Sequence, residues 1–228
     1  MDEERGLFRM PTNDAYEALS TFSQTTLDSS NFFQNLARGK VSHRTLRQIM
    51  IQYFWWRNSF HQWFGVCIQK APSFGRNPSV GHALEALASH IVEEVREDHY
   101  GLCQNFILQL GDDTLLPPWE VTEDYIASFP CRYGADQPFE SALAALSGRE
   151  IIAVSRNHRI RSALNAMRLP GDHPFWVIHE TLEQEHFYHL WSVLPPHPDT
   201  LLEIAQEEIR LHVYFWENIW SVSRTLEN

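Results

Sequence analysis

His179, Glu183 and His186 stand at i, i+4 and i+7 in the stretch His179-Glu180-Thr181-Leu182-Glu183-Gln184-Glu185-His186. On a helix turning about 100° per residue, these three directions fall within roughly 60° of one another. Two imidazoles and a carboxylate on one stripe make half of a dinuclear iron or manganese site, which takes about six protein ligands from facing helices. Phe175, Trp176, Ile178 and Leu182 keep the same helix largely apolar, so charge turned inward there needs a partner or a metal. The plain alternative is a solvated polar face, which is the expected place of Glu180 and Glu185. His189 reads as a helix-end histidine.

A second cluster lies in His90-Ile91-Val92-Glu93-Glu94-Val95-Arg96-Glu97-Asp98-His99. Leu84, Leu87, Ile91, Val95 and Leu102 give that helix a packed side, and His99 is its preferred ligand, with Glu94 as carboxylate partner. On an ideal helix i and i+5 diverge by about 140°. Either the segment bulges or unwinds, as helices often do at functional sites, or Glu93 or Glu97 takes the role. The third carboxylate is Glu150, an acid in the small and apolar stretch Ala144-Ala145-Leu146-Ser147-Gly148-Arg149-Glu150-Ile151-Ile152-Ala153; its alternative is an exposed glutamate beside Arg149. Glu140 is better explained as a favourable charge on a helix N-terminus. Two bare carboxylates about 4 Å apart repel by roughly 4 kcal/mol at an effective dielectric near 20. Three of them converging with histidines are hard to hold without cations or protons.

Other chemistries fit poorly. His179-Glu180-Thr181-Leu182-Glu183 lacks the second histidine of a zinc-protease helix, and Glu183-x-x-His186 is a single motif where ferritin-like proteins use two. There is no glycine-rich phosphate loop and no Gly-x-Ser-x-Gly elbow.

The elements that must position these residues all read as helix. A first helix is expected over about 13–26, and a second from Ser30 to Arg38, stopped by Gly39. A third, capped by Ser42, runs through Tyr53-Phe54-Trp55-Trp56 to about Lys70. Pro78 opens a long helix ending at Leu110 before Gly111, and a short one covers about 120–128 before Pro130. Pro138 starts another, reaching about Met167 with Gly148 a possible kink. Asp172 and Pro174 read as cap and first turn of the metal-stripe helix, closed by Pro195-Pro196. A last amphipathic helix fills about 199–225. No segment alternates at strand length, so the expected fold is all-α: a single-domain helical bundle of about seven helices over 13–228, behind a flexible N-terminus, 1–12.

A net charge of −11 argues against nucleic-acid and anionic-membrane partners, which need a basic face. No apolar run reaches bilayer length and the acidic start carries no signal peptide. Cys67, Cys103 and Cys131 are odd in number and widely spaced, as reduced cytosolic thiols would be. A cytoplasmic location is therefore expected.

With these residues in hand, the chain resembles the heme-oxygenase-like diiron oxidase and oxygenase superfamily, relatives of thiaminase II and pyrroloquinoline-quinone synthase. Ser30-Asn31-Phe32-Phe33-Gln34-Asn35-Leu36-Ala37-Arg38-Gly39 and Gln52-Tyr53-Phe54-Trp55-Trp56 are similar to its opening helices. His90 to Gly111 looks like its first ligand helix, and Glu150 sits where its middle helix supplies a glutamate. His179-x3-Glu183-x2-His186 matches its closing His-x3-Asp/Glu-x2-His pattern, with glutamate at 183 where aspartate is commoner. The resemblance implies a ligand set of Glu94, His99, Glu150, His179, Glu183 and His186 holding two non-heme Fe(II) ions, with manganese an alternative metal. It implies O2 and a small metabolite (an amino acid, amine or fatty-acid-like molecule) as substrates, with N-oxygenation, desaturation or carbon–carbon cleavage as outcome. Reducing equivalents would come from substrate or an external donor, and the architecture admits a homodimer.

The same residues leave two further readings open. One is a metal-independent enzyme of the same fold, like thiaminase II or the quinone synthase, using His and Glu as acid–base groups. The other is a helical interaction protein whose ligand residues form salt bridges. The aromatic belt Tyr53, Phe54, Trp55, Trp56, Phe60 and Trp63 either lines a substrate pocket or is plain packing core.

Overall fold

The computed structural model describes residues 13–73, 78–111, 115–134, 136–194 and 199–226. The N-terminal 1–12 and the Pro195-Pro196 stop lie outside the described residues. Among the described residues ten α-helices follow one another: α1 (Asn13–Ser29), α2 (Asn31–Ala37), α3 (His43–Ser59), α4 (His61–Lys70), α5 (Pro78–Arg96), α6 (His99–Gln109), α7 (Glu120–Tyr133), α8 (Phe139–Ala166), α9 (Pro174–Trp191) and α10 (Asp199–Thr225). The all-α expectation holds, and no strand occurs among the described residues.

At the centre lies α8, packed on α9 and α10 and also touched by α1, α2 and α4. Every residue from Ser141 to Ala153 is buried, the pattern of a helix surrounded on all sides by others. Gly148 does not break it. A Cβ there would lie 2.5 Å from the Ala205 carbonyl oxygen, so this glycine lets α10 approach closely.

The count exceeds the expected figure of about seven: of the eight segments laid out from the sequence, two long ones are each cut in two. The expected helix to Lys70 is cut at Phe60, where Phe60 N donates to Arg57 O and Trp63 N to Phe60 O, i→i−3 bonds that tighten the turn. The expected 78–110 helix breaks at Asp98, which takes the left-handed conformation (φ 49°, ψ 45°) and caps α6 by accepting from Gly101 N at 3.1 Å. Aspartate is among the few residues that tolerate this region. Gly111, with φ of 97°, ends the segment as expected.

Two boundaries also move. The α7 helix runs through Pro130 to Tyr133. Proline offers no N–H to the carbonyl of Ile126, one turn earlier; the Trp63 indole N–H donates to that oxygen instead, at 3.0 Å. The cap of α9 is His173, whose Nδ1 accepts from Phe175 N at 3.2 Å. Asp172 turns outward to Arg161 at 2.8 Å. No helix among the described residues is long and apolar enough to cross a membrane.

Candidate metal centre

The outer face of α9 carries Glu180 in ion pairs with Arg161 (2.7 Å) and His158 (2.8 Å). Its inner face carries His179, Glu183 and His186, all buried. Asn157 of α8 donates to the His179 carbonyl oxygen at 3.1 Å, which ties the rotation of α9 to the central helix. From α8, Glu150 meets the stripe: His186 Nδ1 lies 3.6 Å from Glu150 and 3.4 Å from Glu183. From α5, the His90 ring stacks on His186 with centroids 3.6 Å apart. His90, Glu150, Glu183 and His186 each bring a ligand atom within 4.8 Å of the others.

Glu94, His99 and His179 form a second such group. The break at Asp98 is what unites them. It ends α5 at Arg96, two residues after Glu94, and starts α6 at His99, so His99 Nδ1 comes to 3.3 Å from Glu94 Oε1. The same oxygen lies 4.0 Å from His179 Nε2 and 3.5 Å from His90 Nε2. Glu94 therefore stands between the two groups.

The outward nitrogens are held as well. His179 Nδ1 lies 2.6 Å from the Phe175 carbonyl oxygen. His99 Nε2 lies 3.1 Å from Glu97, and His186 Nε2 lies 3.0 Å from Glu93. Glu93 and Glu97, the other glutamates considered on the first ligand helix, thus sit behind histidines, while Glu94 faces inward. A carboxylate or carbonyl behind an imidazole sets its tautomer and aims the free nitrogen, as around bound metals.

Electrostatically the cluster is strained without a cation. Burial and the neighbouring Glu183 carboxylate push Glu150 up to about 8. Burial opposes charge on Glu183 too, but His186 and Glu150 hold it ionised, well below the usual range. Burial would lower His186, yet Glu150 and Glu183 raise it to about 11. Burial and the Arg57 guanidinium drop His179 to about 3. His90 Nε2, His99 Nδ1 and Glu150 Oε1 are buried without a hydrogen-bond partner, each worth roughly 1–3 kcal/mol of lost solvation. Nitrogen and carboxylate donors left over in this way fit iron or manganese.

All six residues expected as ligands are thus brought together. Two more were not foreseen. His90 has a sequence signal, since it precedes Glu94 by four positions and shares its face. Arg57, on α3, has none: only the tertiary fold brings it there. Its guanidinium pairs with Glu94, and its Nη2 donates to His179 Nε2 at 2.7 Å. His189 is exposed near Glu185. Among the belt residues Tyr53, Phe54, Trp56, Phe60 and Trp63 are buried core. Phe54 and Phe60 also line a cavity of about 300 Å³ that ends on Arg57 and Glu94.

No protein-family model matches the sequence, and no curated protein matches it. Solved structures do. A domain of unknown function with a heme oxygenase-like fold from Shewanella denitrificans superposes with a TM-score of 0.71 at 16% identity, covering 93% of each chain. A TenA family transcription regulator from Silicibacter sp. gives 0.68 at 14% identity, covering 92% of this chain and 98% of that one. A putative TenA-like thiaminase from Sulfolobus solfataricus gives 0.56 at 12% identity, over 90% and 93%. The chain has the heme-oxygenase-like fold, and its structural neighbours include TenA and thiaminase proteins, in line with the resemblance read from sequence.

Proposed function

We propose that this chain is a non-heme diiron oxidase or oxygenase acting on a small metabolite. One observation carries the reading: three buried histidines each turn one nitrogen toward converging carboxylates while the other is held by Glu93, Glu97 or the Phe175 carbonyl. His179, lowered to about 3, is a neutral ring that forms no salt bridge, and holding one imidazole nitrogen so that the other is aimed is how histidines are oriented around bound metals. His90, Glu150, Glu183 and His186 would hold one ion, and Glu94, His99 and His179 the other, with Glu94 between them. Two Fe(II) ions there would activate O2 for oxidation of the bound substrate. The chain supplies the rest. Phe54, Phe60, Phe64 and Ile91 wall an apolar cavity leading to Glu94, which orients a substrate and limits water. Glu150, pushed up by burial, is the carboxyl that gives up a proton when a cation enters.

Anaerobic Fe(II) titration of metal-free protein should saturate near two equivalents per chain, and O2 should then produce an absorbance transient. No iron uptake would contradict the reading.

Arg57 favours a second reading. Its guanidinium already neutralises Glu94 and occupies the His179 lone pair, as suits an enzyme that uses these residues without metal; a putative TenA-like thiaminase is among the structural neighbours. Activity unmoved by chelators would support that alternative.

A further inference from the structure

Arg57 has a side chain only 8% exposed, yet it occupies two groups that the second metal ion needs: it pairs with Glu94 and donates to His179 Nε2. An imidazole nitrogen has one lone pair, so metal and guanidinium cannot share it. When the Glu94–His99–His179 group takes its ion, Arg57 loses both acceptors. A buried guanidinium cannot shed its proton and has to find another anion. The cavity of about 300 Å³ is lined by this side chain and Glu94, with Phe54, Phe60, Phe64 and Ile91 among its apolar walls and Asn58 and His61 among its polar ones. Its other acidic group, Asp98, is engaged as the cap of α6.

We infer that the substrate is a small carboxylic acid with an apolar tail, whose carboxylate takes the Arg57 fork while the tail lies between the aromatic walls. This rests on the dinuclear reading and adds a regulatory consequence. Acid and second metal both favour the state in which Arg57 has released Glu94 and His179, so each tightens binding of the other by the same factor. The first group, His90, Glu150, Glu183 and His186, contains neither Arg57 nor Glu94 and can load while Arg57 still holds Glu94.

The test uses anaerobic protein, so that nothing turns over, with octanoate as probe and octanamide and octylamine as controls. Binding is followed by calorimetry and iron by metal analysis of the same samples. Octanoate should bind Fe(II)-loaded protein at least tenfold more tightly than the amide or amine, and should tighten uptake of the second iron severalfold. In Arg57→Gln, octanoate affinity should fall tenfold or more while the second iron binds more tightly and without help from the acid. Arg57→Lys should recover part of the octanoate affinity. Octanoate binding that ignores Arg57→Gln, or preference for the amine, overturns the proposal while two irons per chain leave the dinuclear reading standing. Failure of wild type and both variants to take up iron overturns the dinuclear reading, and this proposal with it.

Discussion

Glu93 reaches from α5 to place its carboxylate 3.0 Å from Nε2 of His186 on α9, and so decides which ring nitrogen turns toward Glu150 and Glu183. Carboxylates behind metal-bound histidines typically contribute 10–100-fold in metal affinity. Glu93→Gln should therefore weaken binding at the His186 group by about that factor and leave the helical content unchanged. Metal titration of the variant checks this; unaltered affinity would reduce Glu93 to a surface charge.

Removing metal should make stability fall as pH rises above neutrality. Glu150 titrates near 4.5 unfolded and near 8 folded, so the folded chain holds the extra proton and stability falls as pH rises between those values. His186, raised from 6.5 to about 11, acts in the same direction above 6.5. His179, lowered from 6.5 to about 3, gains stability with rising pH, but that gain is essentially complete above 6.5. Metal-free protein should thus lose a few degrees of Tm between about pH 7 and 8. Metal-loaded protein, its ligands already stripped of protons, should lose none, and the metal-induced rise in Tm should grow over the same window. Parallel melting curves with and without metal measure both.

Asp98 holds the turn that brings Glu94 to His99, with its carboxylate accepting from Gly101 N. Asp98→Ala removes the cap and keeps the left-handed backbone, and should cost about 1–2 kcal/mol. Asp98→Gly relaxes the backbone and should cost only about a few tenths. Chemical denaturation distinguishes the two; equal losses would mean that the left-handed backbone at position 98 imposes no cost on a side chain.

Trp63 and Pro130 should couple. With Pro130 in place, Trp63→Phe leaves the Ile126 carbonyl without its indole donor, a loss of roughly 1–3 kcal/mol beyond the change in packing. In a Pro130→Ala background the helix regains its own N–H donor, so the same substitution should cost less. A double-mutant cycle on unfolding free energy should give an interaction of about 0.5 kcal/mol or more, and additivity would contradict the account.

The regular parts of the site were legible because a straight helix converts spacing into direction. His179, Glu183 and His186 face one way in α9 as their separation requires, and Glu150 stood out as an acid in an apolar stretch. Glu94 and His99 seemed to diverge because periodicity assumes an unbroken helix, and the break depends on one aspartate adopting a rare backbone conformation. His90 lay within the ligand stretch, and its spacing to Glu94 was the available signal. Arg57 was invisible, since its meeting with His179 joins helices 122 positions apart. Likewise Pro130 looked like a stop only because the donor that rescues Ile126 comes from another helix.

Anomalous scattering at the iron edge from anaerobically Fe(II)-soaked crystals tests the central claim most directly. Two peaks are expected, one enclosed by His90, Glu150, Glu183 and His186, the other by Glu94, His99 and His179, with Arg57 drawn away from the second. A map without a peak among these side chains, or with Arg57 still seated on Glu94 and His179 at full iron occupancy elsewhere, would contradict it.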